Sequence, residues 1–185
     1  MKPASGLILL AVFTLPLGAQ WSNQPTAPTV NVTPVAPVTV AAGKSTQVPI
    51  RFTLTKGFHV NSNVPRSELL IPTVLTLKPP APEVSFQVIY PKGEDLAFEF
   101  APEEKLNVYS GEFILNVRVK AARTAASGTH QIAGELRYQA CNDRACFPPK
   151  KIPVTFDLMV TKLSRSAGVR VGEPREPTGS PQAKP

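Results

Sequence analysis

The sequence is poor in the residues that mark several function classes. Its 185 residues include two cysteines, two histidines and one tryptophan. Two cysteines cannot scaffold a disulfide-rich miniprotein, and two histidines beside them, His59 and His130, make a poor closed zinc site, so no metal is expected. Helical periodicity of useful length is missing, and the 21 prolines weigh against a helical bundle, because an interior proline removes a helix hydrogen bond and clashes with the preceding turn. No segment repeats. The formal charge of +7 has no binding stripe behind it: Lys2 contributes at one end, and Arg165, Arg170, Arg175 and Lys184 outnumber Glu173 and Glu176 at the other. About four positive charges are left for the body, scattered singly apart from Lys150-Lys151, so no nucleic-acid partner is expected.

The ends differ from the middle. Lys2, the apolar stretch from Gly6 to Leu17 and the small pair Gly18-Ala19 have the order of a signal peptide over residues 1–19, with cleavage near Ala19-Gln20. The apolar stretch is too short for a membrane anchor and is interrupted by Pro16, and no later stretch is long enough for a helical span in the mature chain. An exported, disulfide-permissive location follows. Residues 20–29 make an extended lead-in rich in Pro and Thr, and residues 163–185, which lose all alternation, read as a disordered tail.

Between the ends, residues 30–162 alternate with period two. Val48, Ile50, Phe52 and Leu54 alternate with Pro49, Arg51, Thr53 and Thr55, as a half-buried strand requires, with Pro49 marking an edge or a bulge. Similar runs centre on Val84–Tyr90, Phe113–Val119, Ile132–Tyr138 and Ile152–Val160, and weaker strands are expected near Phe58–Asn61 and Thr73–Leu77. About seven or eight short strands separated by Lys-Gly, Pro-Pro and Ser-Gly turns predict an all-β fold, an immunoglobulin-like antiparallel β-sandwich.

The chemistry-bearing segment runs Tyr138-Gln139-Ala140-Cys141-Asn142-Asp143-Arg144-Ala145-Cys146-Phe147-Pro148-Pro149. Four residues including the turn-forming Asn-Asp separate the cysteines, so the pair can face each other across a hairpin. If Ile132, Leu136 and Tyr138 face the core, Cys141 falls in phase with Glu135, Arg137 and Gln139 on the solvent side. An inter-sheet disulfide of the antibody type joins cysteines far apart in sequence through the core, and this pair does neither. A passive hairpin staple and a redox-active pair both fit this spacing.

The same run resembles the cysteine motif of the N-terminal periplasmic domain of the thiol:disulfide interchange protein DsbD. That motif is close to Tyr-Gln-small-Cys, a short loop with an acidic residue, and Cys-aromatic-Pro-Pro. Gly57-Phe58-His59-Val60, Tyr90-Pro91-Lys92-Gly93 and Val108-Tyr109-Ser110-Gly111 extend the similarity over roughly residues 30 to 160. The resemblance implies an immunoglobulin-like domain in the periplasm that carries electrons as a dithiol, with no cofactor beyond the Cys141–Cys146 disulfide. Cys146 matches the cysteine that forms the mixed disulfide with partners, and Cys141 the one that resolves it. Tyr138, Gln139, Asp143, Phe147 and Pro148 are the implied pocket residues. Gly93 to Pro102 matches a cap loop, with Phe98 and Phe100 as lids among Glu94, Asp95, Glu99, Glu103 and Glu104. The loop between the cysteines is one residue shorter than in the best-known members. The membrane electron channel and C-terminal thioredoxin-like domain found there have no counterpart in this sequence. A separate thioredoxin-like protein or membrane thiol transporter is therefore the expected electron donor, and an oxidised exported protein the acceptor. The alternative is a non-catalytic exported binding or assembly module stapled by the same pair.

Overall fold

A computed structural model of the protein describes residues 29–163. The expected signal peptide, the lead-in before Thr29 and the tail after Leu163 lie outside the described residues. Among those residues the secondary structure is all strand, and no helix is long and apolar enough to cross a membrane.

Two four-stranded sheets make the sandwich. One is ordered β1-β3-β9-β6, from β1 (Val30–Val32), β3 (Ser45–Leu54), β9 (Glu112–Ala121) and β6 (Val84–Ile89). The other is ordered β2-β12-β10-β5, from β2 (Val38–Ala41), β12 (Lys150–Thr161), β10 (Gly128–Tyr138) and β5 (Val74–Leu77). All pairings are antiparallel except that of β2 with β12. The alternation of the sequence becomes the core: Val48, Ile50, Phe52 and Leu54 meet Leu115, Val117 and Val119 on one side and Ile132, Leu136, Val154 and Leu158 on the other, all buried. Phe86 and Phe156 meet edge to face across the layers, 6.5 Å between centroids. Pro49 does sit at an edge. The short β1 pairs only with Phe52–Leu54, so it stops before the proline, whose missing N–H breaks no ladder.

A third, smaller sheet is the part that alternation alone does not announce. It is ordered β11-β4-β8-β7, from β11 (Ala140–Cys141), β4 (His59–Asn61), β8 (Ala101–Ser110) and β7 (Glu94–Phe98). Its strands continue strands of the sandwich. Gly111 turns β8 into β9 in a single residue with φ of 61°, a left-handed conformation that glycine adopts without steric cost, and its carbonyl accepts the Leu54 N–H at 2.7 Å. Gly134 serves a different need: a Cβ there would lie 2.5 Å from the Thr76 carbonyl oxygen of β5. Only a glycine lets β5 pair so closely with β10.

All three tyrosines of the chain tie one segment to another by the hydroxyl. Tyr138 accepts the Val30 N–H at 3.3 Å, joining β10 to β1 in the opposite layer. Tyr90 accepts the Leu75 N–H at 3.0 Å, and Tyr109 donates to Asn63 Oδ1 at 2.7 Å. Each ring fills apolar space while its polar tip pairs with a group that would otherwise be orphaned. Tyr138→Phe is expected to cost about 1–3 kcal/mol, because it strands the buried Val30 N–H. The check is a urea unfolding curve, which should move to lower midpoint with an unchanged slope.

Candidate functional site

The site forms where the chain leaves β10 for β11. Tyr138 is the last residue paired with β12, and Ala140 and Cys141 pair instead with Val60 and His59 of β4. Gln139, between them, is the clamp: its Nε2 donates to the Phe147 carbonyl at 3.2 Å, while its Oε1 accepts from the Ile71 N–H at 3.3 Å and from Asn61 Nδ2 at 3.4 Å. One side chain thus holds both arms of the cysteine hairpin and the loop before β5.

The hairpin closes on a disulfide. Cys141 and Cys146 are bonded, with Cα atoms 4.0 Å apart. They face each other as an isolated antiparallel bridge. The Phe147 N–H donates to the Ala140 carbonyl at 2.9 Å on one side of the pair and the Asn142 N–H to the Ala145 carbonyl at 3.0 Å on the other. This is the pattern of a non-hydrogen-bonded pair, where side chains approach most closely. Asn142 sets the turn, its Oδ1 accepting the N–H groups of Arg144 and Ala145 at 3.0 and 2.9 Å.

Alternation places Cys141 on the correct face and gives the wrong exposure. Tyr138 and Ala140 point into the sandwich core, and Cys141 points away from it, as the phase of Glu135 and Arg137 requires. Yet Cys141 is 0 % exposed rather than solvent-facing. Its cross-strand neighbour His59 carries a second cover. Residues 93–102, expected as a loop, form β7 and the start of β8, a hairpin whose register slips between Leu96, opposite Leu106, and Phe98, opposite Ala101. Such a slip re-aims a side chain. Phe98 here stacks on His59, the residue opposite Cys141, at 3.9 Å between centroids, and Phe100 stacks on Phe98 at 5.6 Å. On the hairpin's other arm, Phe147 meets Phe58 edge to face at 5.7 Å.

The two sulfurs therefore differ. Cys141 is buried, whereas Cys146 is half-buried beside the exposed Asp143, Arg144, Pro148 and Pro149. Of the expected pocket residues, Gln139, Asp143 and Phe147 belong to this hairpin or hold it, and Pro148 lies exposed just after it. Tyr138 does not line the site: its ring is in the sandwich core. His59 and Phe58 are the members of the site to which sequence reasoning gave no role in it. A histidine set between the apolar Phe58 and Val60 was the signal that could have found them. The acidic hairpin is anchored through Asp95, which pairs with Arg66 at 2.5 Å and accepts from Asn107 Nδ2 at 2.7 Å.

Burial pushes His59 down from 6.5 to about 4, with the charge of Asp143 pulling weakly the other way. The folded chain thus keeps the imidazole neutral where the unfolded chain would already take up a proton, so the stability this ring contributes is complete above pH 6.5 and is lost as pH falls towards 4. The expected loss is on the order of 2 kcal/mol, allowing for screening at the ring edge. Urea unfolding at stepped pH should show it in the wild type, and His59→Phe should flatten that part of the profile.

Comparison with known proteins gives this geometry a family. Residues 26–158 match the family model described as thiol:disulfide interchange protein DsbD, N-terminal. Among solved structures, the reduced N-terminal domain of DsbD from Neisseria meningitidis aligns at 24% identity over 64% of this chain and 80% of that one, with a TM-score of 0.40. The N-terminal periplasmic domain of ScsB from Proteus mirabilis aligns at 13% identity over 70% of this chain and 46% of that one, with a TM-score of 0.47. No curated protein matches the chain in sequence. Since the matched residues take in nearly the whole sandwich and both cysteines, the chain belongs to the DsbD N-terminal domain family of thiol:disulfide interchange proteins.

Proposed function

We propose that the protein is a periplasmic thiol–disulfide interchange domain that passes electrons through Cys141 and Cys146 by way of a mixed disulfide. The unequal burial of the two cysteines carries this reading. Exchange needs a thiolate with access to a partner's disulfide and a second thiol near enough to resolve the product. Cys146 has the access, and Cys141 is held 4.0 Å away, Cα to Cα, by the hairpin.

In the reducing direction the Cys146 thiolate attacks one sulfur of a partner disulfide, the partner's S–S bond breaks, and a mixed disulfide forms. The Cys141 thiol then loses its proton and attacks the Cys146 sulfur. The bond to the partner breaks, and the partner leaves as a dithiol while the Cys141–Cys146 disulfide forms. Two electrons and two protons have moved. An oxidised exported protein fits the acceptor, and a thioredoxin-like protein or a membrane thiol transporter the donor that resets the pair. The aromatic stack of Phe98 and Phe100 on His59 supports a cap that limits attack by small oxidants and reductants.

Reduced Cys141→Ser, offered a mixture of oxidised exported proteins, is expected to accumulate reducible covalent complexes through Cys146, with Cys146→Ser giving at least about tenfold fewer. No trapped species, together with a disulfide that resists reduction down to about −300 mV, would establish the passive staple instead. A second measurement addresses the cap: Phe98→Ala should speed reduction of the disulfide by a small thiol several-fold, and an unchanged rate would remove Phe98 from that role.

A further inference from the structure

His59 enters neither the fold's apolar core cluster nor the exchange chemistry described so far, and it is an expensive residue to bury without a task. It is 4 % exposed, and its Nε2 is buried with no hydrogen-bond partner. Buried imidazole nitrogens are ordinarily satisfied. Its position in the sheet gives the unmet bond a direction. His59 lies directly opposite Cys141 in the β4–β11 pair, so the two side chains leave the same face, with Cβ atoms roughly 5 Å apart. On the far side of β4 it is opposite Ser110, and Phe98 covers the ring. Neither carries a charge. Asp143, from the hairpin turn, is the charged group that acts on it.

We propose that His59 takes the proton of Cys141 when that thiol resolves the mixed disulfide. The proposal rests on the exchange reading above. In the disulfide form the sulfur has no hydrogen to donate, so a neutral imidazole opposite it is left with an idle lone pair. Reduction supplies the S–H. A thiol attacks only as its thiolate, and a fully buried thiolate standing alone is costly. If Nε2 accepts the proton as sulfur attacks, the charge that burial disfavours on the ring forms only beside the opposite charge on sulfur. The bond from Cys141 to Cys146 then forms, the bond from Cys146 to the partner breaks, and the proton passes from His59 to the departing thiolate. Asn61, two residues along the same face, also has a buried unpartnered atom, Oδ1. An amide oxygen can accept a hydrogen bond but is too weak a base to take the proton, and Asn61 stands beyond Cys141's register position.

Oxidised glutathione tests this step without any physiological partner. Reduced protein is mixed with it, quenched with acid at intervals, and the glutathione adduct on Cys146 is followed by mass. His59→Phe keeps an aromatic ring for Phe98 to stack on and removes the nitrogen. It is expected to resolve the adduct roughly 10²-fold more slowly than wild type at pH 7. The gap should narrow as pH rises beyond the free-thiol value of about 8.5, since burial raises the Cys141 thiol above it and ionisation without a base comes only there. Equal rates at pH 7, or a deficit that stays constant with pH, would overturn the proposal. Should the variant not fold, the wild type still decides: the titration midpoint of the His59 imidazole, followed by NMR, must fall on reduction of the disulfide, because an S–H donated to Nε2 favours the neutral ring, and an unmoved midpoint overturns it too. A chain that captures no exported protein yet shows the glutathione behaviour would refute the exchange function and leave the role of His59 standing.

Discussion

The amide of Gln139 fixes the point on which the rest of the site depends. The chain must change sheets there, from the long β10–β12 ladder to the two-residue pairing of β11 with β4. A crossing of this kind leaves backbone groups without ladder partners, and buried groups in that state are costly. Gln139 meets the need at both ends, taking the Ile71 N–H and giving its own N–H to the Phe147 carbonyl. With the crossing held, Ala140 stays in the sandwich core while Cys141 turns to the opposite face and meets His59. The cysteine hairpin is thereby fixed at its base, and its turn is left to Asn142 and to solvent.

This arrangement separates stability from chemistry. The sandwich is closed by apolar burial across two sheets and by tyrosine hydroxyls that tie its segments together. The disulfide adds little to that. Its two cysteines are five residues apart, and closing so short a loop removes only about 2 kcal/mol of chain entropy from the unfolded state, against nearly 5 for a loop of a hundred residues. The flanking hydrogen bonds of the hairpin do not depend on the sulfur bond, so it can open without unmaking the sheet. A bond that changes state repeatedly, as we propose this one does, is best placed where the fold leans on it least.

How much of this was legible in the sequence follows from what periodicity can encode. Strands buried on one face, such as β3, β9 and β12, announce themselves, because one face meets the core and the other meets water. The outward phase of Cys141 was legible for the same reason. Its burial was not. Period two says which way a side chain points and is silent about what covers that face, and the aromatic cover on Cys141's neighbour His59 comes from Phe98 of β7, some forty residues earlier in the chain. β7 and β8 escaped notice because Glu94, Asp95, Glu103 and Glu104 make them look like a solvated loop. β7 is held by its pairing with β8 and by the Asp95 contacts, while β8 buries Leu106, Val108 and Tyr109 only towards its far end, where it pairs with β4. The short β1 and β2 were hidden differently, inside a Pro- and Thr-rich stretch where three or four paired residues are too few to show a period.

The aromatic cover also explains how one small hairpin can hold two unlike sulfurs. In a bare turn the two cysteines would share one environment, and either could be attacked first. Here only one arm, β11, is a strand of the third sheet, beside His59 of β4. Cys141 is fully covered on the face it shares with His59, where Phe98 stacks, while Cys146 follows an exposed turn and precedes the partly exposed Phe147. On the exchange reading we propose, access directs a bulky disulfide to Cys146 before any difference in acidity is considered. Burial then determines what the other sulfur can do. A thiol that cannot be reached by a second partner can react only with the sulfur beside it, so on that reading the intermediate is steered towards release rather than towards further cross-linking. The order of the two proposed steps then follows from which arm of the hairpin joins the third sheet beside His59 and Phe98.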